Sequence, residues 1–107
     1  LSRFRKINLV TVEELRRITA PFCRRFNVKR LDVFGSLARN EGTADSDVDM
    51  LVEFEAVEQH LSKRFFGLLH DLEDTLGCRV DLLTIESLKN PYFRRRALQE
   101  RITLYGG

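Results

Sequence analysis

The chain has 107 residues, 43% hydrophobic and 32% charged, the composition of one soluble globular domain spanning residues 1–107. No apolar run approaches the roughly 18 residues a bilayer span needs, and the basic start L-S-R-F-R-K-I-N-L-V lacks a signal peptide's apolar core. No membrane partner is therefore expected, and the expected location is the cytoplasm. Cys23 and Cys78 are too few for a disulfide framework or a zinc cluster and read as buried or half-buried thiols. Net charge is only +2 but is unevenly spread: +7 over residues 1–30, −7 over 31–60, −2 over 61–88 and +4 over 89–107. The basic ends suit a nucleotide, a nucleic acid or an acidic protein partner, or simply solvated helix faces.

Residues 11–26 carry Val12, Leu15, Ile18, Phe22 and Phe26 at helical spacings, with Thr11 as N-cap and Glu14 at the capping-box position. Pro21 predicts a kink there, or a division into two short helices. Residues 28–34 read as a strand, followed by a short helix from Ser36 that fades by Asn40. Residues 40–46 are a polar loop. Val48, Met50, Val52 and Phe54 then alternate as the buried face of a second strand. Leu61, Phe65, Leu68, Leu69, Leu72 and Leu76 form one helical stripe over residues 61–76, with Gly77 at the C-cap position. A third strand is expected at 79–84, a last helix from Tyr92 to Gln99 after Pro91, and a short strand or extended tail at 102–105. This order predicts an α/β (α+β) fold, a small mixed sheet packed with helices.

The chemistry concentrates in residues 31–54, L-D-V-F-G-S-L-A-R-N-E-G-T-A-D-S-D-V-D-M-L-V-E-F. A strand runs into Gly35-Ser36, and the next strand carries Asp47 and Asp49 one residue apart, hence on one face. Asp is disfavoured in strands, and like charges on one face repel unless a cation compensates. Two such carboxylates suit a hard divalent ion; two solvent-facing acids are the plainer alternative. Asp81 is an acid within an apolar strand, either a third ligand or a structural carboxylate. Gly35 and Ser36 offer donors to phosphate, or a tight turn with Ser36 as helix N-cap. Arg39, one turn later, serves phosphate or a salt bridge equally well.

Other motifs fall away. Asp45-Ser46-Asp47-Val48-Asp49 opens like a calcium loop, but Met50 and Ala56 stand where Gly and Glu are required. No Walker loop occurs. His60 and His70 lack companions at zinc spacing. Arg94, Arg95 and Arg96 fan around a helix and read as solvated surface, with a partner or nucleotide contact as the alternative. The basic ends carry no aromatic-rich nucleic-acid motif, so nucleic acid is not an expected direct partner.

G-S, ten residues, D-V-D and the later Asp81 together resemble the DNA polymerase beta nucleotidyltransferase superfamily, and within it the minimal, MntA-like nucleotidyltransferases. The similarity covers nearly the whole chain. Asn40 departs from a frequent Gly, although Gly42 still loosens the loop. The resemblance implies the same fold and an ATP-using, Mg²⁺-dependent enzyme with two ions. It implies that Asp47, Asp49 and Asp81 are metal-binding and catalytic, with Asp81 also helping to activate the acceptor. Gly35, Ser36 and Arg39 would bind the nucleotide. It further implies a protein acceptor, a tyrosine of a HEPN-family toxin modified with AMP. The alternative is a binding antitoxin that neutralises its toxin by occlusion.

Overall fold

The computed structural model describes residues 11–39 and 47–106. The expectations for the basic start, for Asn40 and Gly42, and for Asp45 within the 40–46 loop lie outside the described residues.

Helix α1 spans Val12–Arg25. The Thr11 hydroxyl oxygen accepts the Glu14 N–H at 3.1 Å, the side-chain cap read from the sequence. Pro21 lies inside this helix without dividing it, against the expected break. Pro21 removes the N–H that would bond the Arg17 carbonyl, and both residues are on the exposed side of α1. Water can serve that carbonyl, so the loss is tolerated.

Strand β1 (Val28–Phe34) leads through the short α2 (Gly35–Ala38) to β2 (Val48–Phe54). Helix α3 (Leu61–Leu76) ends at Gly77, whose φ of 67° supplies the left-handed cap. Strand β3 (Val80–Leu83), a 3₁₀ turn (Ile85–Ser87), α4 (Pro91–Glu100) and β4 (Ile102–Gly106) complete the order. The tail at 102–105 is thus a strand. The Asn90 side chain caps α4 by accepting the Tyr92 and Phe93 N–H groups at 2.9 and 3.2 Å. The 3₁₀ turn carried no periodic signal, being only three residues long.

The strands form one mixed sheet in the order β3-β2-β1-β4. β1 pairs antiparallel with both β2 and β4, while β2 and β3 run parallel. That parallel pair needs the α3 crossover between its strands. Val33, Met50, Val52 and Leu82 face a core shared with Leu15 and Cys23 of α1 and Leu68 and Leu72 of α3. Burial pushes the Cys23 thiol up to about 12. A smaller cluster, Phe34, Leu51, Leu88 and Ala97, is packed by Leu83, Ile85 and Leu98. Strand residues take alternate sides, so this second cluster marks the opposite face of the sheet, which α4 covers only in part.

Asp32 is 1% exposed, yet no apolar partner would tolerate its charge alone. Its two oxygens accept from Arg30 Nε at 3.0 Å each, and Arg101 Nη1 lies 3.4 Å from Oδ2. Arg30 Nη2 also donates to Thr103 Oγ1 at 3.0 Å. This ionic knot ties β1 to β4 just beyond the end of α4. Through Arg101, the C-cap of α4, it joins the end of that helix to β1.

Candidate active site

The site begins with register. Asp49 on β2 lies directly beside Asp81 on β3, and directly across from Phe34 at the end of β1. Pairing of β2 with β3 is entered by the Val48 N–H donating to the Arg79 carbonyl at 3.1 Å. Glu73 of α3 accepts the Val80 N–H at 3.1 Å, anchoring the start of β3. Two chain segments separated by a 16-residue helix are thereby brought carboxylate beside carboxylate.

Gly35 follows Phe34 with φ of 73°, a left-handed conformation that side chains disfavour. A Cβ at this position would stand 2.4 Å from Asp49 Oδ2. The glycine therefore lets the turn backbone lie against the carboxylate. Ser36 is the second residue of α2, and the N-cap is Phe34 with no side-chain hydrogen bond. The reading of Ser36 as an N-cap is thus corrected: Gly35 takes the left-handed turn first, and the Arg39 N–H donates to the Gly35 carbonyl at 3.1 Å. The serine hydroxyl is not committed to capping.

These residues border a cleft of about 360 Å³ lined by Phe34, Gly35, Ser36, Arg39, Asp49, Asp81, Phe93, Arg96, Ala97 and Glu100. Five of the six site residues read from the sequence therefore share one cleft. Asp47 is exposed, immediately precedes β2 and is not among the lining residues. Its charge still reaches Asp49. Burial first, then Asp81, then Asp47 raise the Asp49 carboxyl to about 6, against a smaller opposing effect of Arg39.

Four contributors to the cleft were not singled out in the sequence as site residues: Phe34, Phe93, Ala97 and Glu100. Phe93 meets Phe34 edge-on, with ring centres 6.0 Å apart and planes at 77°. Arg39 Nη1 pairs with Glu100 Oε2 at 2.7 Å, and Arg96 Nε with Glu100 Oε1 at 3.2 Å. The Arg96–Glu100 spacing is a helical i,i+4 pair visible in the sequence. The third member, Arg39, is 61 residues away in the chain and carries no such signal. Of the arginine run, Arg96 lines the cleft while Arg94 and Arg95 do not. His60 and His70 are exposed.

Among the described residues, no three His, Cys, Asp or Glu side chains form a group that could hold a metal ion. Asp49 and Asp81 do form a neighbouring pair of oxygen donors in the cleft. Burial and then the neighbouring Asp81 and Asp47 charges raise the Asp49 carboxyl, with Arg39 opposing in part. That donor chemistry fits a hard divalent cation. Among the described residues, no helix is long and apolar enough to cross a membrane.

The chain is similar to known proteins. The nucleotidyltransferase domain family matches residues 15–104. The chain is 42% identical over 86 residues to the protein adenylyltransferase MntA of Thermococcus cleftensis, covering 77% of this chain and 85% of that one. A solved structure described as a minimal nucleotidyltransferase has a TM-score of 0.71 and 38% identity, covering 87% of this chain and 95% of that one. A chain from the complex of a tri-AMPylated Shewanella oneidensis HEPN toxin with an MNT antitoxin shares the fold, with a TM-score of 0.63 and 16% identity. That match covers 91% of this chain and 74% of the other. The mixed four-stranded sheet with its helices is a nucleotidyltransferase fold, and the chain belongs to the nucleotidyltransferase domain family, among its minimal, MntA-like protein adenylyltransferases.

Proposed function

We propose that residues 1–107 act as one catalytic domain that transfers AMP from ATP to a hydroxyl of a partner protein. The observation that carries this reading is the Asp49–Asp81 pair, set in register beside the Gly35 turn in one cleft. The acceptor oxygen attacks the α-phosphorus, the bond to the bridging oxygen of the β-phosphate breaks, and pyrophosphate leaves with that electron pair. Asp81 takes the acceptor's proton. Asp49 and Asp81 would hold Mg²⁺ as the paired oxygen donors of the cleft, and Asp47, just before β2, would have to turn in to serve as a third ligand in a site for two ions. A bound Mg²⁺ neutralises phosphate charge and favours deprotonation of the acceptor hydroxyl. Gly35 allows the backbone close to the triphosphate, the Ser36 hydroxyl donates to a phosphate oxygen, and Arg39 offsets its charge. Most of the rate then comes from alignment and preorganised charge.

Ser36 provides a direct check on the nucleotide site. Ser36→Ala is expected to leave the melting temperature within about 2 °C, because the hydroxyl caps nothing. It should weaken binding of a non-hydrolysable ATP analogue by about 1.5–3 kcal/mol, the worth of one charge-assisted hydrogen bond. Calorimetric titration beside a melting curve reads both, and unchanged affinity rejects the phosphate role.

The proposed acceptor is a tyrosine of a HEPN-family toxin. Support comes from the MntA relative and from the shared fold with a chain of the HEPN–MNT complex. Co-expression of the chain with such a toxin should give an AMP adduct of about 329 Da on the toxin by mass spectrometry, the mass of AMP less water once pyrophosphate has left. The adduct should vanish with Asp49→Asn. Tight association without an adduct, with ATP and Mg²⁺ supplied, would instead establish neutralisation by occlusion.

A further inference from the structure

Glu100 occupies an unusual place for an acid in a cleft meant for polyphosphate. Its carboxylate bridges two guanidinium groups, Arg39 at the end of α2 and Arg96 on α4, one oxygen to each. All three side chains line the same cleft as Gly35, Ser36, Asp49 and Asp81. Glu100 is 23% exposed, while Arg39 and Arg96 are 36% and 69% exposed, so the bridge is open to an incoming solute. Burial pushes the Glu100 carboxyl up, but hydrogen bonds from Arg96 and Arg39 outweigh it and hold the group below the ordinary range. It is therefore an anion at neutral pH, gripped as a phosphate oxygen pair would be.

We infer that Glu100 is a built-in anion that holds Arg39 and Arg96 together and gives both up to the phosphate tail of the incoming nucleotide. The inference rests on the nucleotidyltransferase reading of the cleft and assigns new roles to Glu100 and Arg96, those of positioning residue and phosphate contact. Glu100 offers one negative charge and two oxygens to this pair. A triphosphate brings more charge and more oxygens, so exchange favours the nucleotide. Before it arrives, Glu100 keeps two long side chains ordered at the mouth of the site and lowers its attraction for weaker anions. Selectivity for polyphosphate over single phosphate follows, because only a multiply charged ligand displaces the internal one.

The test titrates wild type, Glu100→Gln and Arg96→Ala with inorganic tripolyphosphate, inorganic phosphate, ATP and adenosine, without divalent metal. Glu100→Gln keeps the shape and removes the competing charge. It should bind tripolyphosphate and ATP about three- to tenfold tighter, gain detectable affinity for inorganic phosphate, and bind adenosine no better. In AMP transfer its KM for ATP should fall while kcat does not rise. Arg96→Ala, an exposed helix position, should fold normally and weaken tripolyphosphate binding by a similar factor. A strut joining α2 to α4 predicts otherwise: Glu100→Gln would melt earlier with unchanged or weaker binding, and Arg96→Ala would bind as wild type. Either result overturns the inference, and the Arg96→Ala arm decides it should Glu100→Gln not fold. Wild type that binds tripolyphosphate while Glu100→Gln binds no tighter removes this inference alone. Wild type that binds neither ATP nor tripolyphosphate and transfers no AMP removes the nucleotidyltransferase reading with it.

Discussion

Asp49→Asn is expected to lower AMP transfer by roughly a hundredfold or more while making the metal-free protein more stable at neutral pH. Both effects come from one carboxylate. Its carboxyl titrates near 6 in the fold against an ordinary 3.8, raised by burial and by Asp81 and Asp47. A carboxyl raised in the folded state favours folding while protonated. Its contribution is fully present below about 3.8 and is lost as pH rises through about 6. The full shift corresponds to about 3 kcal/mol, and Asp49 is only half-buried, so about 1–2 kcal/mol is expected after solvent screening. Denaturant titrations in chelator at pH 4 and pH 7.5 should show wild type losing that much relative to Asp49→Asn. Adding Mg²⁺ at pH 7.5 should raise the wild-type melting temperature and leave that of the variant nearly unchanged. Equal pH dependence in the two proteins would mean that the carboxylates do not crowd one another as the geometry requires.

Gly35→Ala tests the same carboxylate from the backbone side. At φ of 73° an alanine is strained by about 1–2 kcal/mol. Its Cβ would also fall 2.4 Å from Asp49 Oδ2, far inside contact distance. The carboxylate ends a side chain and can swing away more readily than the backbone can move. The variant should therefore stay folded, about 1–3 kcal/mol less stable, with Asp49 displaced from its place beside Asp81. A displacement of about 1 Å at a reacting centre costs on the order of a hundredfold in rate. Combining Gly35→Ala with Asp49→Ala should recover part of the stability, since the colliding atoms are then absent. A variant with normal transfer activity would show that the turn does not need to lie against Asp49.

Much of this fold is written locally. The alternation Val48-Met50-Val52-Phe54 and the leucine stripe of α3 each reveal one element and the face it buries, because the side-chain period is set by the backbone itself. Other features depend on distant partners. Leu51 breaks the alternation because Ala97 of α4 and Leu88, just after the 3₁₀ turn, cover the opposite face, which nothing near Leu51 announces. Pro21 signals a break that solvent exposure makes unnecessary. Ser36 looks like a cap until the left-handed Gly35 shifts the turn. Within the cleft, the Gly-Ser turn stands out because it ends a strand-like run, and the acids because Asp is unusual in strands. Phe34 and Phe93 look like ordinary apolar residues, and Arg39 meets Glu100 only through the tertiary fold.

The parallel pairing of β2 with β3 also acts as a folding checkpoint for chemistry. Asp81 alternates with Val80 and Leu82, both buried. Sliding β3 by a single residue would turn Asp81 toward the apolar core and move Val80 and Leu82 to the face that α4 covers only in part. Such a misthreaded chain pays twice, in lost burial and in a desolvated charge, so it is scarce at equilibrium. The assembled carboxylate pair is therefore also a certificate that the crossover has closed correctly. A one-residue deletion in the 77–79 connection would shift this register and separate Asp81 from Asp49.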